Sequence, residues 1–284
     1  MNTISRRQFL KRACMLGCAG LAASYPIFLE RYLILTNYYR LAVSNLPKEF
    51  SGFRIVHLTD LHYGFLVPLI LIQDVVLRAN RLKPDLIVCT GDFVHERNST
   101  RQIDLVWPVL AQLKAPSGVY SVLGNHDHWA DSERSAYWLK RTGQDLRHLC
   151  VSIERRGKRI WLGGAGDFLE DHRNLDGLLS GVPDADCRIL LAHNPDTVDT
   201  SYSSRIDLTL AGHTHGGQVV IPLIGPPILP VLNKTYTSGL RHSRRGSKVF
   251  ISKGIGWTHL PVRFNCYPEI AVLELVPEFE SGKG

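Results

Sequence analysis

Five short apolar runs, each closing on a polar turn, constrain this chain more than any other feature. Phe53–Leu58 leads into Thr59-Asp60-Leu61-His62, residues 85–89 into Thr90-Gly91-Asp92, and residues 119–123 into Gly124-Asn125-His126-Asp127. Farther on, residues 188–192 lead into His193-Asn194-Pro195, and residues 206–211 into Gly212-His213-Thr214-His215. Runs of this length, rich in Val, Ile and Leu, read as buried strands. Apolar residues at helical spacing over 68–81 predict a helix, and further helical stretches are expected over 104–113 and 132–142. Strands alternating with helices argue an α/β architecture. The later, strand-richer part implies a second sheet packed on the first.

The polar residues fall in a pattern. Asp60, His62, Asp92, Asn125, His193, His213 and His215 all sit at or just past the C-terminal end of an expected strand. In open α/β sheets the connecting loops converge at that edge, and ligands bind there. A lone His after a strand is ordinarily a turn residue; seven metal-competent side chains in five such places are not. Carboxylate and imidazole donors suit Mn, Fe, Zn or Ni rather than soft metals. Asp60 and His62 are two apart, so extended backbone would turn both to one face. His213 and His215 share that spacing across a turn and are free to serve different ions. Gly91, Gly124 and Gly212 each precede a candidate ligand, where glycine permits a tight turn.

The N-terminus reads as an address. Ser5-Arg6-Arg7-Gln8-Phe9-Leu10-Lys11 precedes an apolar run over residues 13–23, the arrangement of a twin-arginine export signal. That run is too short and too rich in Gly and Ala for a span of ~20 residues. Residues 25–35 stay apolar apart from Glu30-Arg31, and no clean cleavage site appears, so the segment either is removed or stays as an anchor. Residues 1–45 are read as signal, anchor and linker, and 46–279 as the catalytic domain. Part of the +7 formal charge sits in this segment, at Arg6, Arg7, Lys11 and Arg12. With no recognition helix or RNA-binding aromatic motif, no nucleic-acid partner is expected. Six cysteines lack any CxxC spacing, which argues against a zinc ribbon. Cys89, inside a strand run, reads as a buried free thiol.

At these residues the chain resembles the calcineurin-like metallophosphoesterases, whose successive motifs are D-x-H, G-D, G-N-H-D/E, a lone H, and G-H-x-H. Asp60-Leu61-His62, Gly91-Asp92, Gly124-Asn125-His126-Asp127, His193 and Gly212-His213-Thr214-His215 follow that order. The twin-arginine signal and Gly216-Gly217-Gln218 make it similar to the exported bacterial phosphodiesterase branch. The resemblance implies a four-layer arrangement of two packed mixed β-sheets flanked by helices, with two divalent ions at the sheet edge, Mn favoured. Asp60, His62 and His215 would bind one ion, Asn125, His193 and His213 the other, and Asp92 would bridge them. His126 would protonate the leaving oxygen, with Asp127 orienting its imidazole.

The expected reaction is hydrolysis of a P–O bond by metal-activated hydroxide, most simply in a phosphodiester, at the periplasmic side or the outer face of the inner membrane. Partners would be the phosphoester, lipid-linked in one reading, the twin-arginine machinery and the membrane. A UDP-2,3-diacylglucosamine pyrophosphatase-like hydrolase and a non-catalytic metal-binding envelope protein are the alternatives. His57 reads as a core residue. His95, His128 and His259 are candidates to line the pocket, Asp167 to approach it, and Arg263 and Asn265 to contact a phosphate. The proline-rich segment 221–232 is either a rigid loop or an apolar rim.

Overall fold

Strands apolar on both faces must be covered on both, and that requirement sets the layers. The structure is a computed structural model and describes residues 5–64 and 66–278. Helix α1 (Arg6–Phe28) precedes β1 (Leu35–Val43). β2 (Phe53–Leu58), α2 (Leu69–Arg81), β3 (Leu86–Thr90), α3 (Thr100–Leu110), β4 (Val119–Val122) and α4 (Asn125–Thr142) then alternate. β5 (Cys150–Arg155), β6 (Lys158–Gly164), α5 (Leu175–Leu179), β7 (Arg188–Leu191) and β8 (Leu208–Ala211) follow. The last strands are β9 (Gly239–His242), β10 (Lys248–Ile251) and β11 (Glu269–Pro277).

Two mixed sheets result, ordered β1-β11-β2-β3-β4 and β5-β6-β7-β8-β10-β9. Side chains alternate between faces along each strand. Thus Ile55 and Leu86 join Leu210, Phe250 and Leu273 in one buried core between the sheets. Their neighbours Val56 and Ile87 turn the other way, onto Ile72, Val75, Val106 and Trp107 of α2 and α3. A third core, with Leu190 and Val249, packs the outer face of the second sheet on Leu175, Leu179 and Tyr236.

The first sheet starts earlier than the boundary at residue 46. β1 pairs in parallel with β11, from Leu35 opposite Glu269 to Val43 opposite Pro277. Only Leu41 and Val43 of this edge strand are buried, which is why its sequence lacks the apolar run of the others. α4 also starts early, at Asn125 inside the G-N-H-D motif, and is broken by extended backbone at Asp131. The described cysteines Cys14, Cys89, Cys150, Cys187 and Cys266 are all free thiols. Burial pushes the Cys89 thiol up to about 12.

Parallel pairing brings the C-terminal ends of β2, β3 and β4 side by side in one sheet, and those of β7 and β8 in the other. The five polar turns therefore leave the sandwich at one edge. Backbone hydrogen bonds continue past the strands: Asp60 N donates to Gly91 O at 3.0 Å, His62 N to Asp92 O at 2.9 Å, and Gly212 N to His193 O at 3.0 Å.

His57 is fully buried between the sheets, its Nε2 2.8 Å from Thr90 Oγ1. Burial disfavours the imidazolium and pushes its pKa from the ordinary 6.5 down to about 3. Because the folded value lies below the unfolded one, the neutral ring's contribution is whole above the ordinary value and drains away as pH falls toward the folded one. Urea midpoints measured from about pH 7 down to about pH 4 should therefore fall less steeply for His57→Gln than for the parent chain. Equal slopes would show that His57 adds nothing to acid sensitivity.

Candidate metal centre

The edge gathers every motif residue. Asp60, His62 and His215 place one donor atom each within 4.8 Å of one another, and so do Asp92, His193 and His213. One atom joins the two groups: Asp92 Oδ2 lies 3.4 Å from His62 Nε2 and 3.3 Å from His193 Nε2. His215 Nε2 is 3.0 Å from His62 Nε2 and 3.4 Å from Asp60 Oδ1. His213 Nδ1 is 3.1 Å from His193 Nε2. Asn125 begins α4 beside them, with Oδ1 buried and without a hydrogen-bond partner.

The face shared by Asp60 and His62 does not come from extended backbone. Asp60, His62, Asp92, His213 and His215 all have positive φ, at 53°, 48°, 55°, 67° and 52°. A left-handed residue costs roughly 1–2 kcal/mol and persists only where the surroundings enforce it, most often at functional sites. The turns after β2, β3 and β8 are kinked in this way at their candidate ligands, whereas Asn125 after β4 and His193 after β7 keep negative φ. Glycine allows this at two close approaches. A Cβ on Gly91, at φ +90°, would sit 2.3 Å from Gly124 N, and one on Gly212 would sit 2.4 Å from Asp60 Oδ2.

Burial sets the protonation. It drives the imidazoles of His62 and His215 well below their ordinary range and that of His213 down to about 4, which leaves ring lone pairs open. It pushes the Asp60 carboxyl up to about 6, with Asp92 adding to the shift. Burial also opposes charge on Asp92, but His193, His126 and His62 outweigh it and hold that carboxylate well below the usual range. Such a set of imidazole and carboxylate donors, with one orphaned amide oxygen and almost no water access, suits divalent cations of the Mn, Fe and Zn kind.

Outer contacts orient the donors. His193 Nδ1 lies 2.7 Å from Thr90 O, which leaves Nε2 for the site; His213 Nε2 lies 2.9 Å from Pro230 O, which leaves Nδ1. His126 Nδ1 is 2.8 Å from His95 O, and its ring stacks on that of His95 at 5.3 Å.

Asp127 does not orient His126. Its carboxylate instead accepts the backbone N–H groups of Asp92, Phe93 and Gly124 at 2.8–2.9 Å, tying the turn after β3 to the start of α4. Those donors point at it because the turns are kinked, so imidazole orientation falls to a backbone carbonyl. Arg263 is fully buried, with Nη2 3.4 Å from His215 Nδ1. Its guanidinium donates to the carbonyls of Lys253, Gly256 and Cys266, and so braces the loop that packs behind Asp60. Asp167 is buried and caps its own turn through Leu169 N and Glu170 N, while Asn265 is exposed. His95 and His259 line a small pocket with His62 and Trp257, and His128 is partly exposed. The carbonyls of Thr90, His95 and Pro230 escaped the sequence reading, since nothing in side-chain identity marks a backbone acceptor.

Fold and comparison together define the class of protein: the chain belongs to the calcineurin-like phosphoesterase family, whose profile matches residues 53–217. It is thus a metallophosphoesterase-family hydrolase. Over 97% of its length it is 34% identical to the uncharacterized metallophosphoesterase YkuE of Bacillus subtilis (strain 168), spanning 99% of that protein. It is 32% identical to phosphodiesterase YaeI of Escherichia coli (strain K12), across 96% of this chain and 100% of that one. Among solved structures, a dimetal phosphatase from Danio rerio aligns with 72% of this chain and 88% of its own, at 14% identity and a TM-score of 0.44.

Gly91→Ala should displace the Asp92 turn and lower bound metal several-fold in elemental analysis of the purified chain. Gly143→Ala, left-handed at φ +70° but with open space around it, should cost on the order of 1 kcal/mol and keep the metal. Equal metal content in both variants would show that close packing at Gly91 does not set the site.

Proposed function

We propose that this chain is a phosphodiesterase working with two divalent cations, Mn favoured. The observation that carries the reading is the single carboxylate oxygen of Asp92 lying between the two donor groups. The phosphodiesterase named among its relatives supports the substrate class.

Asp60, His62 and His215 would hold one cation, and His193, His213 and Asn125 the other, with Asp92 shared. When bound, the cations supply a water whose pKa falls toward ~7 and neutralise charge on the phosphoryl oxygens. The chain's own residues do the rest. Asp92 Oδ1 accepts from His126 N at 2.9 Å, so the carboxylate that both cations would share also positions the backbone of the acid–base residue. The carbonyl of His95 anchors His126 Nδ1 and leaves Nε2 as the atom that gives a proton to the departing alkoxide. Asp127 keeps the two turns in register through the backbone N–H groups of Asp92, Phe93 and Gly124. In this reading the Arg6-Arg7 pair, exposed at the start of α1, is an export address and the protein works at the cell envelope.

Chelation should abolish hydrolysis of bis(4-nitrophenyl) phosphate, and Mn²⁺ should restore it. His126→Ala should keep its metal and lose ~10²-fold or more in kcat. Parallel loss of metal and turnover in that variant would assign His126 to metal binding or folding instead.

A further inference from the structure

The segment 221–232 projects aliphatic side chains that the rest of the chain does not cover. Leu223 is fully exposed, and Ile224, Ile228 and Leu232 are exposed by 77%, 76% and 73%. Proline recurs through the segment, and a turn closed between Ile221 and Gly225 holds Leu223 at its apex with φ +68°. A left-handed leucine gains nothing here from packing within the chain, so its placement points to an external apolar phase.

The segment is wired to the metal centre. Pro230 O is the acceptor beside His213 Nε2, and Pro226 packs where a Cβ of Gly217 would lie. Residues 260–265 connect it to α1. Val220 N donates to Phe264 O and Gln218 Nε2 to Leu260 O, while Arg263 N donates to Pro26 O and Arg31 Nη1 to Pro261 O. Tyr25 and Glu30 add bonds to Tyr267 and to Cys266 N. The end of α1 is thus part of the folded body, with Ile27, Phe28 and Leu29 exposed, as is Leu260.

Charge decides the occupant. From residue 208 to 268 the chain has Lys234, Arg241, Arg244, Arg245, Lys248, Lys253 and Arg263, and no Asp or Glu. Lys234 is exposed just after the segment, as are Arg6, Arg7, Lys11 and Arg12 on α1 among Phe9, Leu10, Met15 and Leu16, whereas Arg244 pairs with Asp199 and lies with Arg245 at the far end of β9 and β10. A second copy would bring like charges together, whereas an anionic lipid surface attracts them and takes up the aliphatics. No helix among the described residues is long and apolar enough to cross a membrane, so the contact is interfacial.

We infer that segment 221–232, with Leu260 and the end of α1, seats the metal centre on an anionic lipid bilayer, and that its phosphodiester is part of a lipid in that surface. This rests on the phosphodiesterase reading for the reaction, though not for the docking. The full chain should co-sediment with vesicles of equal parts phosphatidylglycerol and phosphatidylcholine, less so in high salt, and not with phosphatidylcholine alone. The triple variant L223D/I224D/I228D should lose roughly tenfold or more of that binding. It should lose turnover of a diacyl phosphodiester held in the vesicles by a similar factor, while hydrolysis of soluble bis(4-nitrophenyl) phosphate is unchanged. Undiminished vesicle binding by the variant, binding indifferent to lipid charge, or an oligomer in sedimentation equilibrium that the variant splits would each overturn the inference. Vesicle binding by a chain that hydrolyses no soluble ester would sink the enzymatic reading and leave the docking standing.

Discussion

The structure is organised around one costly act: several carboxylates and imidazoles are buried together at the edge where two sheets meet. Asp60 and His193 are wholly buried, and His62, Asp92 and His215 nearly so. Unpaired buried charge is expensive, and the groups respond by shifting their protonation and by sharing contacts across a few ångströms. Two carboxylates and four imidazoles place their donor atoms within a few ångströms of one another, a set whose burial a divalent cation would offset. A core of aliphatic residues would fill the same space at less cost. The arrangement is therefore accounted for by binding rather than by stability.

Holding such a cluster in place falls to the layer of contacts behind it. Asp127 ties the turns after β3 and β4 through three backbone donors, and the carbonyls of Thr90, His95 and Pro230 set which ring nitrogen of three histidines faces inward. Arg263 performs the same service for the loop behind Asp60. These contacts make the donor geometry a property of the sandwich rather than of flexible loops, which is what preorganisation at a charge-developing centre requires. They also give the exposed rim a mechanical link to the site, because Pro230 belongs to both.

Much of this was legible in the linear chain. The apolar runs of β2, β3, β4, β7 and β8 announced buried strands, and the polar turns after them announced a ligand edge, since both signals depend only on local composition and order. Strands with weaker alternation were not visible: β1 is an edge strand with two buried residues, so its sequence resembles a linker. The shared face of Asp60 and His62 was expected from extended geometry, but the backbone there is left-handed. That reversal follows from neighbouring turns packing on one another, as Gly212 does on Asp60, which no window of sequence contains.

The sequence by itself determined the kind of chemistry and the family, because residue identity and motif order specify which donors exist. Tertiary structure alone decided which donors meet, that one oxygen of Asp92 stands between both groups, and that Asp127 serves the backbone while His95 serves His126. The physical reason is range. Hydrophobic patterning acts over a few residues and can be read in order, whereas a hydrogen bond between residues thirty or more positions apart exists only after the sheets have packed.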